Sequence, residues 1–283
     1  VYRELKTRSF ISKEINRQEL VERFRQRNKF LWQGPSLHIV VVTLRCDHRC
    51  IYCQTSSVLP DRKGFDMTEE VAKKTVDVIF GSPSQAITIE FQGGEPLMNW
   101  KVVRFICAYA SEKNKSHGKD LRLTLVTNLS LMDEKKLNFL LDNNVTICTS
   151  LDGPRHIHDK NRKLHKSSRS SYNKVTSQIR KIMKKYKNPK AVGALTTVSR
   201  TSLSYPKQII DEYNKWGFSA IHLRPLSNLG FSEKARTKIG YSAGGFVEFY
   251  RKIFQLEIKG EQELVDYCCL LYTSDAADEL DGV

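Results

Sequence analysis

The stretch RCDHRCIYC, Arg45 to Cys53, holds three of the chain's seven cysteines. Cys46, Cys50 and Cys53 follow the spacing C-x3-C-x2-C, with the aromatic Tyr52 just before the last thiol. Three thiolates on one short loop can hold three irons of a cubane [4Fe-4S] cluster and leave the fourth iron without a protein ligand. An open iron can take an exogenous chelate, much as a catalytic zinc keeps open a position that a structural zinc closes. Two plainer readings remain beside this one: a structural zinc site completed by His48, or three unconnected cysteines. A zinc site, however, usually wants four closed ligands in paired short spacings.

Something must hold that loop in place. Apolar or alternating runs predict strands at 37–44 (LHIVVVTL), 86–92, 121–127, 145–151, 191–198 and 219–226. Helical patterns lie between and after them at 68–80, 98–116, 133–143, 171–187, 205–216 and 243–258. Asp66 or Thr68 ahead of Glu69 and Glu70, and Asp133 ahead of Glu134, supply helix starts. Strict alternation of strand and helix, with both faces of the strands apolar, argues for a parallel sheet covered by helices. Six units fall short of a full barrel, so the expected class is α/β with a partial (β/α)6 TIM-type barrel. A doubly wound open sheet is the alternative. Residues 1–36, with a basic amphipathic helix near Gln18 to Leu31, form an N-terminal helical extension to a barrel over 37–260.

In such folds the chemistry gathers at the carboxyl ends of the strands. The cysteine loop ends the first strand, and FQGGEP, Phe91 to Pro96, ends the second. Gly93 and Gly94 leave a strand edge whose backbone carbonyls a ligand's ammonium group can approach, and Glu95 adds negative charge. Together the two motifs resemble those of the radical S-adenosylmethionine (SAM) superfamily. That resemblance implies a [4Fe-4S] cluster on Cys46, Cys50 and Cys53 and SAM chelated to its open iron through amino and carboxylate groups. Reductive cleavage would then give a 5'-deoxyadenosyl radical, with Gly93, Gly94 and Glu95 holding the SAM amino group. On its own, GGEP is an ordinary strand exit in which Pro96 presets the next helix.

The later strand ends speak less directly. VTNLS places Asn128 where relatives often have Thr-Asn-Gly, so Asn128 either lines the SAM pocket or caps the following helix region. TSLDGPRHIHDKNR resembles the S-x-D-G-P...H-D...R segment of SPASM-type peptide maturases such as the anaerobic sulfatase-maturing enzymes. By that resemblance Ser150 and Arg162 hold the SAM carboxylate and Asp152 borders SAM or substrate; otherwise Asp152 and Gly153 simply reverse the chain. Tyr52 is expected at the cofactor, and Thr197 reaches the ribose or is a buried strand residue. Arg224 and Pro225 face the same mouth without an assigned role. His156, His158 and His165 read as solvated surface or substrate contacts, and Cys107 and Cys148 as small buried hydrophobes. No catalytic base is identified.

Lysine and arginine exceed aspartate and glutamate by 46 to 31, a formal charge of +15, which attracts acidic or phosphate-bearing partners. No apolar run reaches the length of a membrane span and no leader pattern opens the chain, so a cytoplasmic protein is expected. The maturase-like segment, and the similarity of LHIVVVTLRCDHRCIYCQTSS to His-Xaa-Ser system radical SAM maturases, imply a peptide or protein substrate. They also imply an external electron donor such as flavodoxin or ferredoxin. An RNA-modifying enzyme is the second reading, but no stacking platform or RNA-binding module is found. A non-enzymatic iron-sulfur or zinc module is the third, and it has no use for GGEP. Relatives of this type carry a cysteine-rich SPASM or twitch domain beyond the barrel, and residues 261–268 are expected to begin one that is missing. CLLYTSDAADE, Cys269 to Glu279, resembles the translation of a transposase adapter, so 269–283 is expected to be a sequencing artefact. The fragment should then bind cluster and SAM without completing turnover.

Overall fold

In a computed structural model of the chain, residues 17–29, 32, 34–186, 192–259 and 265–266 are described. The adapter-like tail, Cys268 and residues 1–16 lie outside the described residues. So do residue 187, at the end of one expected helix, and residue 191, at the start of one expected strand.

Six strands carry the fold: β1 (Leu37–Thr43), β3 (Ala86–Gly93), β4 (Asp120–Thr127), β5 (Val145–Ser150), β7 (Val192–Thr197) and β8 (Ala220–Arg224). They form one parallel sheet in the order β1-β3-β4-β5-β7-β8, with a two-residue strand, β9 (Val265–Asp266), added beside β8. The spatial order follows the chain order without reversal. A doubly wound sheet reverses its order at the switch point, and a barrel wall does not. The open-sheet alternative is thereby excluded in favour of the partial barrel.

Three of the helical segments start for a clear local reason. Thr68 caps Glu69–Phe80 by accepting from the Val71 N–H at 3.2 Å, and Asp133 caps Glu134–Asp142 by accepting from Lys136 N–H at 2.8 Å. Pro96 opens a 3-10 turn, Pro96–Asn99, so the next α-helix runs Trp100–His117 rather than from residue 98. Ile87, Ile89, Phe91, Leu125 and Ile147 from the strands and Val103, Ile106 and Ala110 from that helix are fully buried. The strands depart from the expected two-sided burial: burial alternates along β3, β4 and β8, and in β1 Val40 and Val42 are buried whereas Leu37, Ile39 and Val41 on the alternate face are exposed.

Several small elements were not expected. A three-residue ladder pairs β2 (His48–Cys50) with β6 (Arg162–Leu164), and the helix Arg155–Asn161 leads into it. The helix Phe231–Ile239 follows β8. The ladder ties the cysteine loop at the end of β1 to the segment after β5. No helix is long and apolar enough to cross a membrane among the described residues.

Candidate metal and cofactor site

The cysteine loop is braced from outside. Leu44 N–H donates to Phe65 O at 3.0 Å, Cys46 N–H to Val58 O at 3.0 Å, and Val58 N–H to Leu44 O at 2.8 Å. Arg45 grips the far end of the loop: its Nε and Nη2 bind Asp66 at 2.8 and 2.6 Å, and its Nη1 and Nη2 reach Pro60 O at 2.9 Å and Met98 O at 3.1 Å. On the other side Phe231 N–H donates to Cys53 O at 2.9 Å. Gly230 (φ +64°) lets the chain pass there, since a Cβ would fall 2.5 Å from the carbonyl oxygens of Cys53 and Gln54.

Each thiol has its own donor or hydroxyl neighbour. His48 N–H points at Cys46 Sγ (3.3 Å), Arg162 Nη1 lies 4.0 Å from Cys50 Sγ, and the hydroxyls of Thr55 and Ser57 lie 3.3 and 3.5 Å from Cys53 Sγ. Burial pushes Cys46 well above the usual thiol range, with the neighbouring Cys50 adding to it. Burial likewise takes Cys50 up to about 12, against the pull of Arg162. For Cys53 burial acts upward too, but the hydrogen bonds of Thr55 and Ser57 outweigh it and the net shift is downward.

Opposite the thiols, β3 ends in Gly93 and Gly94, whose first duty is structural. A Cβ on Gly93 (φ +143°) would sit 2.0 Å from Thr43 O, and one on Gly94 2.3 Å from Arg45 O. Gly94 N–H donates to Thr43 O, and Glu95 N–H to Arg45 O, each at 2.8 Å. The two glycines therefore press the end of β3 against the root of the cysteine loop, and in doing so leave a backbone wall facing the thiols. Glu95 turns away from that wall. It is fully buried, and its carboxylate accepts from Leu97 N–H (3.0 Å), Thr127 Oγ1–H (2.7 Å) and Asn128 N–H (2.8 Å). Burial raises its pKa to about 7 against those three hydrogen bonds.

Asn128 closes the next side. Its Nδ2 donates to Asp47 Oδ1 at 2.8 Å, lies 2.8 Å from His48 Nδ1, and is 3.9 Å from Cys46 Sγ. Asp47 also pairs with His48 (2.9 Å) and accepts from the Ser130 hydroxyl, and these partners hold its carboxyl well below the usual range despite burial.

Asp152 is the hub of the remaining wall. Wholly buried, it accepts from Tyr52 O–H, Asn161 Nδ2 (3.1 Å), Arg162 Nε (3.1 Å) and Thr197 N–H (3.2 Å). The Arg162 guanidinium lies 5.2 Å from the centre of the Tyr52 ring. Burial opposes the charge of Arg162, and Asp152 overcomes it and raises the pKa further. His158 is buried as well, in contrast to the surface position expected for it. Its Nδ1 faces the Asp152 N–H at 3.4 Å, its ring meets Tyr172 edge-on, and burial lowers its pKa to about 4.

These groups enclose one pocket, about 860 Å3 with the solvent at its mouth included. Cys46, Cys50, Cys53, Tyr52, Gly93, Gly94, Asn128, Arg162 and Thr197 all line it. Glu95, Ser150 and Asp152 do not: Ser150 is buried at the end of β5, and the two carboxylates are spent behind the wall on the groups just named. These three therefore stand beside or behind the lining rather than in it. The pocket also includes Gln54, Thr55, Ser57, Gln92 and Ser227, for which the sequence suggests no individual role, and Arg224, whose Nη2 donates to Gln54 Oε1 at 2.7 Å. Position at a strand end was the only sequence signal for Arg224.

The donor set fits a cluster better than a lone zinc ion. Among the described residues one compact group could hold a metal: Cys46, Asp47 and His48, with ligand atoms within 4.8 Å of one another. Asp47 and His48, however, are already bound to each other and to Asn128, and such an ion would leave Cys50 and Cys53 unused. A larger group reached by all three thiols, with a hydrogen-bond donor or hydroxyl beside every sulfur, uses the whole pocket wall.

A family model described as the radical SAM superfamily matches residues 40–198. A cysteine-type anaerobic sulfatase-maturating enzyme of Clostridium novyi (strain NT) is 26% identical over 229 residues, covering 79% of this chain and 60% of that enzyme. The chain thus spans about 60% of the length of this curated relative. Among solved structures, native anSMEcpe with bound AdoMet and a Kp18Cys peptide superposes with a TM-score of 0.69 at 21% identity, over 81% of this chain and 62% of that one. Streptococcus suis SuiB bound to the precursor peptide SuiA gives a TM-score of 0.65 at 13% identity, over 94% and 57%. The two structures support the fold.

Proposed function

The chain belongs to the radical SAM superfamily, and on that premise we propose that it binds a [4Fe-4S] cluster and SAM in the thiol pocket to modify a peptide or protein. The observation that carries this reading is the convergence on one pocket of three thiols, each with a hydrogen-bonding neighbour, and the bare Gly93–Gly94 backbone. When bound, cluster and SAM together would supply an electron and a hydrogen-abstracting radical.

The chain's own residues have separate tasks. Cys46, Cys50 and Cys53 act as the cluster ligands. The Gly93–Gly94 backbone and the Asn128 side chain offer polar atoms to the amino end of SAM, and Arg162, held by Asp152 and stacked near Tyr52, offers a guanidinium fork to its carboxylate. Thr197 lines the pocket from the end of β7. The β2–β6 ladder keeps Arg162 beside Cys50, so any group that approaches Cys50 meets a fixed positive charge.

A peptide or protein substrate is supported by the likeness to sulfatase-maturating enzymes and to the fold of a precursor-peptide-binding enzyme. The reading includes an external electron donor and a cytoplasmic, reducing setting, and it divides the chain into an extension over 1–36 and a barrel over 37–260. Anaerobic reconstitution with iron and sulfide, reduction, and assay for 5'-deoxyadenosine test it. SAM-dependent formation of that product is expected. Its absence from cluster-loaded, reduced protein would refute the reading.

A further inference from the structure

Two hollows beside the thiol pocket share Arg155, Ser168, Arg169 and Ser170 and so form one trough. It begins at Arg162, which also lines the thiol pocket, and ends at Gln178 on the helix Ser171–Tyr186. Arg49, Arg155, Lys163, Lys166, Arg169 and Lys174 make it basic. The one carboxylate in its lining, Asp159, is already occupied by Arg155 Nε (3.3 Å), Ser171 Oγ–H (3.2 Å) and Tyr172 N–H (2.9 Å).

Arg49 and Lys163 are the informative pair. They stand directly opposite each other in the β2–β6 ladder, and both are exposed. Ion pairs join Arg155 to Asp159 and Lys166 to Asp61, but none reaches Arg49, Lys163 or Arg169 among the described residues. Like charges opposite each other weaken a strand pair, and a ladder of three residues has few bonds to offset the loss. The fold gains nothing from this arrangement. An anionic ligand lying across the ladder would.

We infer that the trough docks an acidic segment of the peptide substrate and so presents the neighbouring residues of that peptide to the thiol pocket. This inference deepens the reading of a peptide substrate and rests on it. Ser167 and Ser168 add hydroxyls suited to carboxylates and main chain, while no Phe, Tyr or Trp lines the trough to stack a nucleobase and His165 is the one aromatic ring there.

Fluorescence anisotropy on the full chain tests it without cluster or SAM, so a failure of SAM cleavage does not bear on the result. The probes are a labelled peptide rich in Asp and Glu, its Asn/Gln counterpart, and a single-stranded RNA oligonucleotide. The acidic peptide should bind roughly tenfold more tightly than the neutral one, and Arg49→Gln with Lys163→Gln should remove most of that difference. Lys181→Gln with Lys184→Gln, an equal change of charge outside the trough, should change affinity by less than about twofold. The Arg49/Lys163 double variant should melt no lower than the parent, since a repulsion has been relieved. Equal binding of the acidic and neutral peptides, or equal losses in the two double variants, would overturn the proposal. Tighter binding of RNA that depends on Arg49 and Lys163 would also overturn it, in favour of a nucleic-acid surface.

Discussion

Arg162 and Asp152 meet 3.1 Å apart, Nε to Oδ1, with the carboxylate wholly buried and the guanidinium nearly so. The pair sits where the loop after β5 meets the cysteine loop, and two of its other partners, Tyr52 and Thr197, line the thiol pocket. It therefore fixes one wall of the candidate site. Removing one partner of such a pair leaves an uncompensated buried charge. Asp152→Asn is expected to cost about 3–5 kcal/mol in chemical denaturation. Tyr52→Phe, which removes one hydrogen bond to the same carboxylate, should cost only about 1 kcal/mol. Equal and small losses in both variants would show that the pair does not organise the wall.

Gly93 and Gly94 should tolerate no side chain. Alanine at either would drive a Cβ to within 2.3 Å of a β1 or cysteine-loop carbonyl, and a loss of about 3 kcal/mol or more is expected from overpacking and the positive φ of Gly93. Gly118→Ala is the control. It also has positive φ (+62°) but meets nothing within 4 Å, so its cost should be nearer 1 kcal/mol. Thermal unfolding of the three variants separates close approach from backbone conformation alone.

Stability should depend on pH through two buried groups with opposite signs. Burial raises Glu95 to about 7, so the folded state keeps a proton that the unfolded state releases above about 4.5. Its contribution is complete below 4.5 and is lost as pH rises through 7. His158 is lowered to about 4, so the folded state refuses a proton that the unfolded state takes up below about 6.5. Its contribution is complete above 6.5 and is lost as pH falls through 4. Between about pH 4.5 and 6.5 the two slopes, each up to about 1.4 kcal/mol per pH unit, oppose each other. Urea midpoints of Glu95→Gln should therefore rise with pH in this window and those of His158→Gln should fall. Parallel curves for both variants and the parent would contradict the assignment.

Much of this was legible in the sequence, for identifiable reasons. The six strands were legible as apolar or alternating runs such as AITIEF, of which the structure buries one face, and their order followed from unbroken alternation with helices. That Cys46, Cys50 and Cys53 meet at one pocket was legible because they share one short loop at a strand end. The supporting positions of Glu95 and Asp152 were not legible, because a carboxylate beside a pocket and one behind its wall have the same sequence. The β2–β6 ladder escaped for another reason: three residues, His48 to Cys50, are too few for any periodicity to register, and their partner lies far along the chain at Arg162 to Leu164. That ladder is what joins the thiols to Arg162, and what places Arg49 opposite Lys163.

A pocket that holds a three-thiolate cluster with an open iron facing a SAM site is tested most directly by electron paramagnetic resonance of the reconstituted, reduced protein before and after addition of SAM. The expected result is a reduced [4Fe-4S] signal that changes its g values when SAM is added and that vanishes when Cys46, Cys50 and Cys53 are replaced by alanine. A signal indifferent to SAM, or a protein that takes up one zinc ion and no cluster through Cys46 and His48, would contradict it.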